Sequence, residues 1–192
     1  MKLSSVRIGS LCDITSCKRI FAHEYQNDGI PFYRSKEIIE KFSVAESVST
    51  EIFISRNKFE EIADKFGAPS EGDLLLTSVG TLGIPYFVKQ SEEFYFKDGN
   101  LTWFRAFRGL NSKYLYYWLQ SPDGRAQLGK STIGTSQAAY TIALLKEMDI
   151  ELPKEDIQDR ISDTLYIYDD LIENNNRRIK LLEKSARLLY QE

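Results

Sequence analysis

The sequence is poor in the residues that build metal and redox centres: its 192 residues include two cysteines and one histidine. Two cysteines cannot form the disulfide framework of a small secreted protein. Cys12, Cys17 and His23 do not have the spacing of a zinc site, and no fourth strong ligand accompanies them. We therefore expect no metal centre, and we interpret both cysteines as small hydrophobic residues of the interior.

Long hydrophobic runs are also missing. No apolar stretch approaches the roughly 20 residues that a membrane span needs, and the first residues, MKLSSVRIGSLCD, lack the apolar centre of a signal peptide. Hydrophobic residues still make up 42% of the chain, which is enough for a sizeable core. These features predict a cytoplasmic protein with one domain, or one domain and an appendage.

The chain has no overall positive charge, since its formal net charge is -3. The negative charge is concentrated near the C-terminus: residues 1–136 carry 17 basic and 16 acidic residues, whereas residues 137–192 carry 8 and 12. A local basic face in the first part, of the kind that binds nucleic acid, therefore remains compatible with the composition.

One segment, GRAQLGKS at residues 124–131, has the letters of a phosphate-binding P-loop, G-x-x-x-x-G-K-[ST]. A P-loop follows a strand and begins a helix, so that backbone N–H groups face the phosphates. Here the preceding YLYYWLQSPDG predicts a helix and a turn, and the following TIGTSQ does not begin a helix. We interpret the segment as the end of a helix followed by a polar loop, and we do not expect nucleotide binding.

Other catalytic signatures are absent as well. The chain has no Pro-Pro pair of the kind that holds the target amine in DNA amino-methyltransferases. No lysine has an acidic residue two positions before it, as a common nuclease metal site requires. The single histidine has no partner motif for a Ser-His-Asp site. The sequence therefore indicates a binding protein, with no catalytic residue of its own.

The order of predicted elements mixes strands and helices. Strands are predicted in GIPFYRSKEI (29–38, running into a polar loop), TEIFIS (50–55), GDLLLTSVGTLGIPYFVK (72–89, two strands), GNLTWFRAF (99–107) and MDIELP (148–153). A helix capped by Asn57 and Glu60 is predicted to end at Gly67, and a second helix to begin near Asn111. SPDG at 121–124 predicts a turn, STIGTSQ at 131–137 predicts no element, and Pro153 suits the first position of a last helix.

From residue 157 to the end, the apolar pattern changes to a heptad repeat without glycine or proline. The 36 residues correspond to about 54 Å of helix. A helix of this length is too long to bury its seam on so small a domain, so we expect much of it to project and pair. The seam positions, spaced alternately by four and three, are Ile161, Leu165, Tyr168, Ile172, Asn175, Ile179, Leu182, Ala186 and Leu189.

Charge and polarity along this helix favour antiparallel pairing with a second copy. Residues 155–173 hold seven acidic residues and one basic residue, whereas residues 174–192 hold five basic and two acidic residues. Asn175 lies near the middle, where a buried polar residue fixes register and partner number. The alternative is a solvated amphipathic helix that lies on its own domain.

The loop GKSTIGTSQ offers a lysine and several small polar side chains between two glycines. Lysine and backbone N–H groups contact phosphates, and Gln, Ser and Thr reach base edges. The loop is therefore a candidate DNA contact, and its alternative is an ordinary solvated loop.

The ordered string of segments resembles the specificity subunit of type I restriction–modification enzymes, in a half form. The resemblance covers essentially the whole chain, and its most specific part is GTSQ before a final strand, then Leu-Pro and a helix start that contains Gln. Its segments are VRIGSLCDI, GIPFYRSKEI, GDLLLTSVGTLGIPYFV, LYYWLQSPDGRAQLGKSTIGTSQ, LPKEDIQDRI and YDDLIENNNRRIKLLEKSARLLY.

The resemblance implies an α/β (α+β) fold with a mixed-sheet target recognition domain, residues 1–152, and a long coiled-coil helix, residues 153–192. In this family two such domains each read one half of a split site in double-stranded DNA, and their helices pair antiparallel. The helices dock methyltransferase subunits, which use S-adenosylmethionine to methylate adenine. A separate restriction subunit uses ATP and Mg and cleaves unmodified DNA. The subunit itself carries no cofactor.

The sequence departs from the family in having one recognition domain and one helix where the family's subunit has two of each. We therefore expect a half subunit, a truncated gene product or a trimmed fragment. A homodimer of halves is two-fold symmetric, so its split DNA site is expected to be a palindrome.

Candidate DNA contacts are spread over several predicted loops. Arg34 and Lys36 are candidates for guanine, and Asn100 and Gln137 for adenine. For each residue the alternative is solvation at the surface. The full set is Arg34, Ser35, Lys36, Ser78, Thr81, Lys97, Asn100, Lys130, Thr132, Thr135, Ser136 and Gln137.

Two other functions compete with DNA recognition. The first is a coiled-coil adaptor or decayed gene copy that binds only the methyltransferase. The second is an enzyme, either a nucleotide hydrolase or a nuclease. ATPase activity that is lost in Lys130→Ala would indicate this function.

Overall fold

The computed structural model describes residues 4–43, 50–133 and 138–190. The elements of the first half are β1 (Ser4–Arg7), α1 (Ile8–Leu11), β2 (Asp13–Thr15), β3 (Tyr25–Gln26), β4 (Ile30–Tyr33), α2 (Ser35–Phe42), β5 (Phe53–Ile54), α3 (Arg56–Phe66), β6 (Leu74–Thr77), β7 (Pro85–Phe87) and β8 (Tyr95–Phe96). Those of the second half are β9 (Leu101–Arg105), α4 (Ser112–Gln120), α5 (Pro122–Lys130), β10 (Thr132–Ile133), β11 (Ala139–Tyr140), α6 (Ile142–Lys146), β12 (Asp149–Leu152) and α7 (Glu155–Leu189).

An antiparallel sheet with strand order β2-β9-β6-β7 forms the centre of the domain. Strand β6 has the sequence LLLT, and all four residues are buried. Because successive side chains of a strand point to opposite faces, Leu74 and Leu76 pack with Leu115 and Leu119 of α4, whereas Leu75 packs with Trp103 on the other face. Both faces of the sheet are therefore covered.

A second sheet has the order β3-β5-β4-β8 and contains both strand orientations. Strand β4 pairs antiparallel with β5 and parallel with β8. Its core residues Ile30 and Phe32 pack against Phe59 and Ile62 of α3. The predicted mixed-sheet α/β domain followed by a long helix is confirmed.

The first and last strands of the domain pair with each other. In the antiparallel pair of β1 and β12, Ser4 lies opposite Leu152 and Arg7 opposite Asp149. The strand predicted in MDIELP is therefore present, and it brings the start of α7 next to the beginning of the domain.

Helix α7 contains 35 residues, or about 52 Å at 1.5 Å per residue. It begins two residues later than predicted: Lys154 is the N-cap, and Pro153 lies before it. Proline fits there because the residue before a helix has an extended backbone and needs no intrahelical N–H donor.

The prediction of a polar loop after β4 was wrong, since α2 begins at Ser35. The Glu37 carboxylate accepts the N–H of Arg34 at 2.7 Å and so satisfies a free donor at the helix start. The predicted cap of α3 was also displaced: the Ser55 hydroxyl, and not Asn57, accepts the N–H of Lys58 at 3.2 Å. The predicted helix stop at Gly67 is confirmed.

The segment SPDG begins α5 instead of forming a turn. Ser121 is the N-cap and Pro122 the first helical residue, a combination that suits a helix start as well as a turn. Lys130 and Ser131 therefore lie at the C-terminal end of a helix, where carbonyl groups point outward. This is the wrong end for a phosphate, which agrees with the interpretation that the P-loop letters are accidental.

The prediction of no element at 131–137 was wrong for Thr132 and Ile133, which form β10. This strand pairs antiparallel with β11, with Thr132 opposite Tyr140. Helix α6 follows, and its N-cap Thr141 accepts the N–H of Leu144 at 3.2 Å.

Candidate DNA interface

Three of the predicted DNA-contact residues meet at one end of the central sheet. Ser78 follows β6, Asn100 precedes β9, and Ser35 begins α2. The carbonyl oxygen of Asn100 accepts the Ser78 N–H at 2.8 Å and the Ser35 hydroxyl at 3.4 Å. Segments that are far apart in the sequence therefore form one surface, which we call the loop end of the domain.

The β10–β11 pair joins the same loop end. The carbonyl oxygen of Ser78 accepts the N–H of Tyr140 at 3.1 Å, and Val79 forms an antiparallel bridge with Ala139. Thr81 is exposed beside them, and Lys130 is exposed at the end of α5. Thr135, Ser136 and Gln137 lie outside the described residues.

Two of the predicted hydroxyl contacts are occupied within the protein. Ser78 is buried, and its Oγ lies 2.7 Å from Thr102 Oγ1 and 3.1 Å from the carbonyl oxygen of Leu76. The Thr132 hydroxyl donates to the carbonyl oxygen of Leu128 at 3.2 Å. Both residues therefore support the shape of the loop end, and neither hydroxyl can donate to DNA while these bonds persist.

The two cations proposed for guanine carry several carboxylate partners. Arg34 donates to Glu37 at 2.6 Å and to Glu51 at 3.4 Å, and Lys36 donates to Glu51 at 3.1 Å. Glu37 raises the pKa of Arg34, Glu51 raises that of Lys36, and Lys36 in turn lowers the pKa of the Glu51 carboxyl. Sequence reasoning missed Glu51 because 15 residues separate it from Lys36.

Lys97 is placed at the same end by its backbone. Its N–H donates to the carbonyl oxygen of Tyr33 at 2.8 Å, which extends the parallel pairing of β4 and β8. Its ammonium group lies 3.5 Å from the hydroxyl of Tyr25. Lys97 and Asn100 are half-buried, so only part of each side chain faces solvent.

The heptad seam of α7 is exposed along its whole length. Among the large apolar side chains of the seam, the exposed fraction ranges from 38% at Ile161 to 77% at Leu189. Asn175 is exposed with them. A stripe of this length on an otherwise folded domain is typical of a helix that pairs with another helix.

The opposite face of α7 lies on the domain through polar groups. Gln158 is fully buried: its amide nitrogen donates to the carbonyl oxygens of Gly109 at 3.2 Å and Pro153 at 3.0 Å, and its oxygen accepts the N–H of Asn111 at 2.8 Å. These bonds explain why the helix start carries a glutamine. Ser162, one turn later, is also buried.

Further along α7, the contacts with the domain border a cleft of about 510 Å³. The Tyr117 hydroxyl donates to Asp169 at 2.7 Å, and Lys89 pairs with Glu173 at 2.9 Å. The ammonium of Lys113 lies 4.3 Å from the ring centre of Tyr166. The alternative in which the helix lies on its own domain is therefore correct for its first half and its polar face, but the seam stays open.

The thiols fit a structural role. Cys12 is buried, and Cys17 donates to the carbonyl oxygen of Phe96 at 3.0 Å. Burial raises the pKa of each thiol to about 12, so both are protonated at neutral pH. Among the described residues, no three His, Cys, Asp or Glu side chains are grouped as metal ligands would be.

No helix in the described ranges is both long enough and apolar enough to cross a membrane.

Comparison with known proteins identifies the family. The family model described as "Type I restriction modification DNA specificity domain" matches residues 2–184. A putative type I restriction enzyme specificity subunit of Haemophilus influenzae is 27% identical over 188 residues, 97% of this chain and 45% of the relative. The type I restriction enzyme MjaIX specificity subunit of Methanocaldococcus jannaschii is 30% identical over 127 residues, 63% of this chain and 27% of the relative.

Solved structures share the fold. The S subunit of a type I restriction-modification system from M. genitalium superposes with a TM-score of 0.65 at 18% identity, covering 94% of this chain and 42% of that one. The HsdS subunit from Thermoanaerobacter tengcongensis gives a TM-score of 0.62 at 19% identity, covering 92% and 40%. The chain spans less than half the length of these relatives.

The relatives are specificity subunits, and the predicted membership of their family is confirmed. With nearly all of its length matched by the family model, the chain belongs to the type I restriction modification DNA specificity domain family.

Proposed function

We propose that this protein reads one half of a split site in double-stranded DNA, as a half subunit that pairs with a second copy through α7. The observation that carries the proposal is the exposed seam of α7 on a folded domain that presents the loop end. One domain presents one set of reading loops, so a split site needs two domains. The seam supplies the surface that joins them.

The pairing is antiparallel in this proposal. The acidic first half of α7 then faces the basic second half of the partner helix, and opposite charges attract along the whole length. Parallel pairing would place acid against acid and base against base, which costs stability. The two domains lie at opposite ends of the helix pair, so the helices set the gap between the half-sites.

A second apolar stripe supports docking of a methyltransferase subunit on the same helices. Ile167, Leu181 and Leu188 are spaced by multiples of seven and lie outside the seam, and 58–59% of the surface of each is exposed. A two-helix pair covers the seam and leaves such a stripe uncovered. Further helices of a partner subunit would bury it.

The cofactors of the reaction belong to the partners in this proposal. S-adenosylmethionine is held by the methyltransferase subunit, and ATP and Mg by the restriction subunit. The complex acts on cellular DNA in the cytoplasm.

The test is methylation mapping in a host without DNA methylation. The chain is co-expressed with its cognate methyltransferase subunit, and the control strain lacks the chain. We expect a new methyl-adenine motif that is palindromic and gapped. An asymmetric gapped motif would keep DNA recognition but indicate pairing with a different half.

No motif, despite a soluble complex with the methyltransferase, would instead support the adaptor function. That alternative keeps the exposed stripes of α7 but assigns no DNA contact to the loop end.

A further inference from the structure

The side chains around the start of α2 form a compact ionic group, which we call the Glu51 cluster. It contains Arg34, Lys36, Glu37, Glu40 and Glu51. Arg34 is fixed within it, because buried Glu37 binds its Nη2 at 2.6 Å, its Nε at 3.3 Å and its backbone N–H at 2.7 Å. The guanidinium can therefore reach DNA only through the edge that remains open.

Glu51 lies beside that edge, on its Nη2 side. Its carboxylate oxygens lie 3.4 Å from Arg34 Nη2 and 3.1 Å from Lys36 Nζ. Its side chain is 63% exposed, whereas that of Glu37 is fully buried. Of the two carboxylates that bind Arg34, Glu51 is thus the one that a ligand at this surface meets.

The charge of the cluster argues against a phosphate contact. Two cations and three carboxylates leave a net charge of -1, since Glu40 lies 3.9 Å from Lys36. A phosphate brought to this point gains little from Arg34 and Lys36 and is repelled by the acids. The cluster is suited to a neutral surface that offers both acceptors and donors.

A base pair in the major groove is such a surface. Guanine presents two acceptors, O6 and N7, to Arg or Lys, and the amino group of cytosine donates to Glu or Asp. In the Glu51 cluster, a carboxylate acceptor lies directly beside two cationic donors. The arrangement therefore complements a G·C pair.

We propose that Glu51 is a specificity-determining residue, which accepts a hydrogen bond from a cytosine amino group and keeps Arg34 and Lys36 from binding the DNA backbone. This inference rests on the proposed DNA-reading function. It changes the role of Arg34 and Lys36 from general cationic contacts to parts of one base-reading group.

The experiment compares methylation motifs of the wild-type chain, Glu51→Gln and Glu61→Gln, each co-expressed with the cognate methyltransferase subunit. Glu61 is the matched control, because it is an exposed glutamate that pairs with Lys65 at 3.1 Å on α3. In Glu51→Gln we expect methylation, at least about tenfold above wild type, of sites that differ from the motif at one G·C pair. Glu61→Gln is expected to keep the wild-type motif.

If the wild-type chain yields a motif, several outcomes in Glu51→Gln would overturn the inference about Glu51 and leave the proposed function standing. These are an unchanged motif in Glu51→Gln, relaxation at an A·T pair, or loss of all methylation by a folded variant that still binds the methyltransferase. The last result would show that Glu51 contributes to the overall affinity for DNA and not to the choice of base pair. A wild-type chain that yields no motif would refute the proposed function itself.

Discussion

Gly124 and Gly129 belong to the same short helix, α5, but their surroundings differ. A Cβ atom on Gly124 would lie 2.0 Å from the carbonyl oxygen of Trp118, near the end of α4. A Cβ on Gly129 would meet nothing within 4 Å. The first glycine of the P-loop letters is thus explained by packing between two helices.

We therefore expect Gly124→Ala to lower the free energy of unfolding by about 1–3 kcal/mol or more, because the backbone must shift to admit the methyl group. Gly129→Ala is the control and is expected to leave stability unchanged or raise it by up to about 1 kcal/mol, because alanine favours the helix. Urea denaturation of both variants measures the difference. Equal stabilities would contradict the close packing.

Asp73 is a buried carboxyl that accepts the indole N–H of Trp103 at 2.9 Å and the N–H of Ser70 at 3.0 Å. Burial raises its pKa, although these hydrogen bonds oppose the shift. The folded state therefore binds a proton more readily than the unfolded state. By linkage, this group's contribution to stability is fully present below its unfolded pKa and is lost as the pH rises through the folded pKa.

Asp73→Asn is expected to remove this contribution, since an amide oxygen still accepts both N–H groups but does not titrate. Denaturation curves measured from about pH 3.5 to 7 compare the two proteins. The stability difference between wild type and variant should change across the acid range and become constant near neutrality. A constant difference at every pH would show that Asp73 does not titrate with an altered pKa.

At the scale of elements, sequence periodicity located the long structures and missed the short ones. Nine seam positions define α7, and the continuous apolar run Leu74–Leu76 marks β6. Helix α6 has five residues and β10 has two, which is too few to display a period. Helix α2 was missed because the charged residues of RSKE at its start read as a loop.

The same limit applies to the candidate interface. The sequence marks polar residues such as Arg34 and Asn100, because their type suits DNA contacts. It does not show that Ser78 is buried or that Glu51 faces Lys36. Those facts depend on tertiary packing between segments that local patterns do not relate.

The exposed seam of α7 leads to a prediction about dimer formation. Ile179→Ser with Leu182→Ser removes two apolar side chains that are 53% and 70% exposed in the single chain. Because each change occurs twice in a homodimer, we expect the dissociation constant to rise at least about 100-fold. Sedimentation equilibrium measures it, with Lys184→Ser as an exposed control on the same helix.

The domain itself is expected to keep its fold in the seam variant, because those residues lie outside the core. A wild-type chain that is monomeric at every concentration would contradict self-pairing. A seam variant that dimerises as well as wild type would assign the interface to another surface.

For the whole molecule, the angle between α7 and its domain would decide where the two domains lie in the proposed dimer. Hydrogen bonds that Gln158 accepts and donates fix the start of the helix, and the Tyr117–Asp169 and Lys89–Glu173 contacts hold later turns. The latter two contacts are largely exposed, so each adds at most about 1 kcal/mol of stability. We expect these contacts to affect the angle between α7 and the domain more than the free energy of unfolding.

Asp169→Ala with Glu173→Ala should therefore let the domain swing on the helix while the fold remains stable. The expected result in methylation mapping is tolerance of gaps one base pair shorter or longer than that of the wild-type motif. Asp163→Ala with Glu183→Ala removes the same charge from exposed positions and serves as the control. A gap as strict as wild type in both variants would contradict a role for these contacts in spacing.

The pairing of β1 with β12 has a consequence for how the domain can be exchanged during evolution. Ser4 and Leu152 lie on adjacent strands, so the two ends of the reading domain are about 5 Å apart. A foreign segment with ends of the same geometry would therefore replace residues 4–152 without moving α7. In the proposed function, recombination at these two points would exchange the residues that read DNA and preserve the gap between the half-sites. A new specificity would then arise in one genetic step.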